Sequence, residues 1–409
     1  MHPTAAHDPL PFFHKQTIFL TGGTGLVGGC LLFKLAMKLD TGKIYALVRG
    51  SPERAVSQLR DIIPNQVDAI LATNKVKLVV GDICEHKFGI DPVVLAEMAR
   101  TVTVIIHSAA SISLRTTQRE CVEINCLPVL QLAQMSSSFE NLSKFVFIST
   151  AYANSHLPDG VIEERIYPGG DAEQQLSRIM EAGSLAEGLA GFTHAYTLVK
   201  NITEQLLLSR NPHLPILIVR PTCIAPAISQ PHPYYSRPGS SPGSGYVQRY
   251  MESPDSGVFH VSSFHPTGTN IVDEIPVDIT ANLILLHIMH DTRGIVHAGS
   301  ESYVRRTLAQ LHQTIIDHFP RRPGSRRPEF RYLSMSDRRV PQGRYAEFLK
   351  TFGRDWHFSN AASQKFVALE GPLSIALGDH DAGRFMDERA GLISADVVRR
   401  RSSKASAKL

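Results

Sequence analysis

Thr17-Ile18-Phe19-Leu20-Thr21-Gly22-Gly23-Thr24-Gly25-Leu26-Val27-Gly28 decides the fold of this chain. Its first five residues are mostly apolar or β-branched and predict a strand, and Cys30 to Leu39 (CLLFKLAMKL) has the pattern of a helix. Between them lies a glycine-rich turn. In the order strand, glycine turn, helix, the glycines permit a tight turn and close approach of a pyrophosphate, whose charge then sits at the helix N-terminus. The spacing satisfies both G-x-G-x-x-G (Gly23, Gly25, Gly28) and G-x-x-G-x-x-G (Gly22, Gly25, Gly28). Thr21, Gly22, Gly23, Thr24, Gly25, Leu26, Val27 and Gly28 are therefore candidate dinucleotide-binding residues.

Outward from this motif, short apolar runs alternate with helical patterns as far as residue 220. KIYALV (43–48), VKLVV (76–80), VTVIIH (102–107), KFVFIS (144–149) and PILIV (215–219) read as further strands, apolar almost throughout as in a parallel sheet covered on both faces. VEINCLPVLQLAQMSS (122–137) reads as one helix despite Pro128. The expected fold is α/β: a Rossmann-like, doubly wound parallel sheet with a smaller substrate subdomain and a C-terminal extension. Residues 229–245, rich in proline, glycine and serine, predict a long exposed loop edging the substrate cleft. The expected division is 1–300 for the dinucleotide-binding and substrate part, 301–331 for a basic linker and 332–409 for a C-terminal region with a basic tail.

Composition narrows the function classes. Over 409 residues, 43% hydrophobic and 20% charged residues describe a globular chain, and a net charge of +4 gives no footprint for nucleic acid. The five cysteines are scattered without a C-x-x-C pair, which points away from a disulfide framework or a cysteine zinc site. No apolar stretch reaches 18 residues, and the N-terminus lacks the order of a signal peptide, so a soluble, non-secreted protein with no transmembrane segment and no metal is expected.

The candidate chemistry sits at strand ends. After the second strand, where an NAD enzyme usually carries an acid, stands Arg49, with Arg54 nearby; the pair is placed to meet a 2′-phosphate and favours NADPH, the alternative being solvated surface arginines. Asp82 and Ile83 follow the third strand, where a carboxylate can accept from an adenine amino group. His107 and then Ser108, Ala109 and Ala110 follow the fourth; the small residues let backbone approach the cofactor, and His107 reads as structural. Tyr196 and Lys200 in AYTLVK lie one helical turn apart, so an ammonium sits near a phenol and favours its ionised form. Ser149 and Thr150, just past the fifth strand, offer hydroxyls to a substrate carbonyl.

The order T-G-x-T-G-x-x-G, G-D-I, H-x-A-A, Asn125 in EIN, S-T-A-Y-x-N, Y-x-x-x-K and V-R-P (Arg220, Pro221) resembles the extended short-chain dehydrogenases/reductases. KIYALVRG, IIHSAASISL, FISTAYANSH, VIEERIYP, AYTLVKNITEQLL, ILIVRPTCIAPA and IVDEIPVDITANLIL narrow this to the fatty acyl-CoA reductase group, related to thioester reductase domains, over about residues 12–300, with a faint continuation in LKTFGRDWHFSN. The resemblance implies Thr150, Tyr196 and Lys200 as the catalytic set, Tyr196 and Lys200 also meeting the cofactor, NADPH as that cofactor, and an acyl-CoA or acyl-carrier thioester as substrate. Rival readings are an extended reductase acting on a ketone or aldehyde, a sugar epimerase, a hydroxysteroid dehydrogenase, and a non-catalytic NADP-binding regulator.

Four further patterns carry less. Gly239-Ser240-Ser241-Pro242-Gly243 satisfies G-x-S-x-G but lacks the strand and helix of a nucleophile elbow, and His287 and His290 form a pair without a third metal ligand. Arg321, Arg322, Arg326, Arg327 and Arg331 offer charge to the phosphates of CoA or simply a solvated linker. Ala407-Lys408-Leu409 resembles a peroxisomal address read by an import receptor, which makes the peroxisome the expected location and the cytosol the alternative.

Overall fold

A computed structural model describes residues 8–237, 239–253, 257–320, 327–334 and 346–406. The central sheet has seven strands: β1 (Thr17–Thr21), β2 (Lys43–Val48), β3 (Val76–Val80), β4 (Val104–His107), β5 (Lys144–Ile148), β6 (Ile216–Pro221) and β7 (Gly294–Ala298). All pairs are parallel, in the order β7-β6-β5-β4-β1-β2-β3. The first six answer the runs read from the sequence, with ends moved by one or two residues; β7 was not foreseen. Its GIVHA run is short and follows a helix with the same apolar residues.

Successive residues of each strand point to opposite faces, and both faces are buried. Ile18, Leu20, Ile106, Val146 and Val219 pack on one side with α1 (Leu26–Met37) and α6 (Val277–Met289), while Phe19, Ile105, Phe145, Phe147 and Ile218 pack on the other. This is the doubly wound arrangement, and its reversal of strand order between β1 and β4 opens a crevice at the strands' carboxyl ends.

The single helix expected over 122–137 is two, α2 (Gln118–Asn125) and α3 (Leu127–Ser136), joined at Cys126. Pro128 is the cause. In a continuous helix its ring would collide with the carbonyl four residues back and its missing N–H would leave that carbonyl unpaired, whereas in the first turn of a new helix neither cost arises.

Residues 301–331 hold more than a linker: the helix Leu308–His318 buries Leu308, Leu311 and Ile315. These join Tyr246, Tyr250, Phe259, Phe352 and Val397 in a second core, so a smaller subdomain is built from chain segments on both sides of that stretch. The C-terminal region is woven in similarly. Trp356–Phe358 pairs with Gly160–Ile162, Glu329–Ser334 pairs with Val258–Ser263 across the 331/332 boundary, and Phe366, Leu373 and Ile375 enter the core beside α6. Arg327 and Arg331 are paired with Asp317 and Glu329; Arg321, Arg322, Arg326 and the Ala407–Leu409 tail lie outside the described residues. No helix among the described residues is long and apolar enough to cross a membrane.

Candidate active site

The turn after β1 and the loop after β4 are tied through Thr21. Its hydroxyl accepts the Ala109 N–H at 3.2 Å, and its carbonyl accepts the Ser108 hydroxyl at 2.9 Å. Gly22 (φ +74°) runs so close to this loop that a Cβ would stand 2.7 Å from Ala109 N, and at Gly28 a Cβ would stand 2.1 Å from the Gly22 carbonyl oxygen. A Cβ on Gly25 would meet that oxygen at 3.1 Å, whereas one on Gly23 would meet nothing nearer than 3.7 Å. The steric demand thus selects G-x-x-G-x-x-G over G-x-G-x-x-G. α1 opens with Gly25 as its N-cap, no side-chain cap and no acid in the first turn, which leaves backbone N–H groups for an anion. Leu26 points into the core and Val27 packs against it, so both serve the cradle through backbone alone.

The tips of β2 and β3 lie side by side, with Val48 opposite Val80. Arg49 is exposed there, and Arg54 curls back over Gly50, whose φ is +88°. Asp82 holds its turn by accepting the Cys84 N–H at 3.0 Å, and Ile83 packs against the core. Beyond Ala110, which is exposed, Asn125 braces the loop from both directions. Its amide oxygen accepts the Ser111 N–H at 2.8 Å, and its nitrogen donates to the Ser111 carbonyl at 2.9 Å.

Tyr196 and Lys200 lie on α4 (Ala195–Arg210), with the Lys200 ammonium 5.8 Å from the centre of the Tyr196 ring and 4.4 Å from that of Phe147. Lys200 donates to the Ile148 carbonyl at 2.9 Å, which docks α4 onto the end of β5 where Ser149 and Thr150 follow. Thr150 is buried; its hydroxyl reaches the Pro221 carbonyl at 3.5 Å and accepts the Tyr152 N–H at 3.3 Å. The buried Ser149 hydroxyl has no partner among the described residues.

Burial governs the electrostatics. It pulls Lys200 down to about 8 and pushes the Tyr196 phenol well above its ordinary value, with Cys121 and Glu204 adding to the rise. This differs from the lowered phenol expected from the spacing: desolvation outweighs the ammonium, so Tyr196 carries its proton at neutral pH. Glu204 itself is paired in the interior with Arg220, Nε to Oε1 at 3.0 Å. His107 is buried, brought down to about 3 by desolvation and by Lys200, and lies 3.1 Å from the Thr21 hydroxyl; it is a neutral structural group.

The loop at 229–245 differs most from expectation. It is not exposed throughout, and it ends in a helix, α5 (Pro242–Met251). Tyr235 is fully buried, and its hydroxyl donates to Leu26 O at 2.9 Å and Gly25 O at 3.3 Å, while Arg237 donates to Thr24 O at 2.8 Å. Composition concealed this strap across the cradle; the one available cue was the aromatic pair Tyr234-Tyr235 inside a polar loop. Ser241 of the G-x-S-x-G match is the N-cap of α5, and both ring nitrogens of His287 are taken by Thr292 and Ser363.

Residues 20–284 match the family model described as Male sterility protein. Fatty acyl-CoA reductase 2 of Homo sapiens is 25% identical over 295 residues, covering 67% of this chain and 54% of that protein. Fatty acyl-CoA reductase wat of Drosophila melanogaster is 26% identical over 239 residues, covering 55% and 46%. The chain spans about half the length of these curated relatives. Among solved structures, the terminal R domain from the myxalamid PKS-NRPS biosynthetic pathway shares the fold, with a TM-score of 0.62 at 19% identity over 94% of this chain and 91% of that one. The glycine cradle, the loops after β4 and β5 and α4 fall within the matched span, and the chain belongs to the Male sterility protein family.

Proposed function

We propose that this chain is an NADPH-dependent reductase of an acyl thioester, a fatty or polyketide-like acyl-CoA. The observation that carries the reading is the docking of α4: Lys200 ties the Tyr196 helix to the strand end that bears Thr150, within a chain related to fatty acyl-CoA reductases. The cradle at Gly22, Gly25 and Gly28 fits a dinucleotide because any Cβ there would intrude on the turn or on the loop after β4. Arg49 and Arg54 stand where a 2′-phosphate would need cations. When bound, the nicotinamide supplies hydride.

The chain's own residues handle the oxygen and its proton. Thr150 and Tyr196 donate hydrogen bonds to the thioester carbonyl, a stabilisation that grows as negative charge develops on that oxygen. The phenol then gives up its proton, and the nearby ammonium of Lys200 lowers the cost of the tyrosinate left behind. Collapse of the resulting hemithioacetal breaks the carbon–sulfur bond and yields aldehyde and free thiol; a second reduction of the aldehyde gives alcohol.

The test follows NADPH oxidation and thiol release together across a panel of acyl-CoA chain lengths, with products identified. One thiol per NADPH marks an aldehyde product, and half that ratio marks an alcohol. NADPH oxidation with ketones or aldehydes but no thiol release from any acyl-CoA would replace this reading with an ordinary extended reductase. Tight NADPH binding without turnover on any substrate would leave the regulator.

A further inference from the structure

The strap that crosses the glycine cradle is firmly held. Asp278 on α6 accepts the N–H groups of Ile228, Ser229 and Gln230 at 2.9–3.2 Å, and the buried Lys34 on α1 donates to the Gln230 side chain at 2.8 Å. Farther along, Tyr235 lies so close that a Cβ on Gly29 would meet its hydroxyl at 2.5 Å. Two residues later comes Arg237, half-buried, whose recorded partner among the described residues is the Thr24 carbonyl, with no carboxylate paired to it.

That position sets a cation with spare donors beside an uncapped helix start. Thr24 directly precedes Gly25, the N-cap of the twelve-residue α1, whose first turn has neither a side-chain cap nor an acid. A helix N-terminus carries roughly half a positive charge. A guanidinium held beside it by a fixed strap is weakly repelled, and the hydrogen bond to the Thr24 carbonyl more than offsets that repulsion. An anion between the two would convert the repulsion into two attractions, and an arginine has further N–H donors free to meet it.

We infer that Arg237 is a ligand of the dinucleotide's pyrophosphate, delivered to the glycine cradle by the strap; this rests on the proposed dinucleotide-dependent function. Its role is separable from that proposed for Arg49, which would read only the 2′-phosphate. ADP has the pyrophosphate but neither the 2′-phosphate nor the nicotinamide, so it isolates Arg237.

Calorimetric titration of the full chain with ADP, NADH and NADPH tests this. Arg237→Gln should weaken all three by a common factor of about 10 or more, as for loss of a charge-assisted hydrogen bond, and Arg237→Lys should recover most of the ADP affinity. Arg237→Gln should also gain less thermal stability from added ADP than the parent does. Unchanged ADP affinity in Arg237→Gln, a loss confined to NADPH, or a variant that fails to fold would overturn the inference and make Arg237 a brace. A parent that binds ADP, NADH and NADPH with an unaffected Arg237→Gln sinks this inference alone; a parent that binds none of the three sinks the functional reading with it.

Discussion

Tyr196 and Lys200 are legible from their spacing alone, because one helical turn places them on one face wherever the helix packs. Their charge states are not, because desolvation and the neighbours Cys121 and Glu204 come from the fold. With its phenol held in the protonated form, Tyr196 suits donation to a reduced carbonyl. Tyr196→Phe should therefore lower kcat by about 100-fold or more while leaving the Kd for NADPH near the parent value; single-turnover rates and nucleotide titration check this, and near-normal turnover would remove Tyr196 from the chemistry. Lys200 yields a stability prediction with a definite sign. Its pKa falls from 10.5 to about 8 on folding, so the unfolded chain binds more protons between those values and stability rises with pH across that window. Below pH 8 the full cost of burying the charge applies, on the order of 3 kcal/mol. Lys200→Met should accordingly be more stable than the parent at pH 7, by up to about 3 kcal/mol less what the Ile148 hydrogen bond contributes, and the gain should shrink by pH 10. Denaturant titrations of both proteins at the two pH values decide it, and an equal difference at both would show that the ammonium is not desolvated as described.

At the scale of elements, six of the seven strands of the central sheet are readable because each is an apolar run, and the first helix because a glycine turn announces it. Two elements were misread for local reasons: Pro128 divides what periodicity joins, and Pro/Gly-rich composition hid a strap whose burial depends on Tyr235 finding carbonyls on α1. Composition reports where regular structure cannot run; it is silent on what an irregular segment packs against. The glycine turn itself offers a sharp element-scale test, because two spacings coexist in the sequence and only one is sterically demanded. Gly28→Ala would place a methyl 2.1 Å from the Gly22 carbonyl oxygen, a contact with backbone that no rotamer can relieve. It should destabilise the chain by about 1–3 kcal/mol and abolish dinucleotide binding, whereas Gly23→Ala should fold with parent-like stability. Thermal melts and NADPH titrations of the two variants check this, and equal damage from both would restore the alternative spacing.

Across the whole molecule, the segments that sequence reading set apart as linker and C-terminal region contribute to the cores, and they determine the environment of several histidines. His297 bonds to the Ser359 carbonyl at 2.8 Å, His287 to the Ser363 hydroxyl at 3.0 Å and His312 to the Tyr332 hydroxyl at 2.7 Å, each pair joining residues distant in sequence. Together with His107 these rings are buried, and desolvation brings each down to about 3. A histidine so lowered stays neutral in the folded protein but takes up a proton once unfolded below its ordinary 6.5. The unfolded state therefore binds more protons between pH 6.5 and about 3, and stability is lost as pH falls through that window. Four such groups drain stability at about 5 kcal/mol per pH unit once all are engaged, against a total of about 5–15 kcal/mol for a folded domain. Acid unfolding should thus be steep and centred near pH 5. Trp356, the single tryptophan, is 2% exposed in the strand that pairs with Gly160–Ile162, so its fluorescence reports the C-terminal segment leaving the fold. His312→Phe, which removes one of these groups, should lower the proton uptake of the transition by about one and move its midpoint to lower pH if the core accepts the ring. A chain still folded at pH 3.5, with native tryptophan emission, would mean that these histidines are protonated within the folded protein and that their burial does not set its acid limit.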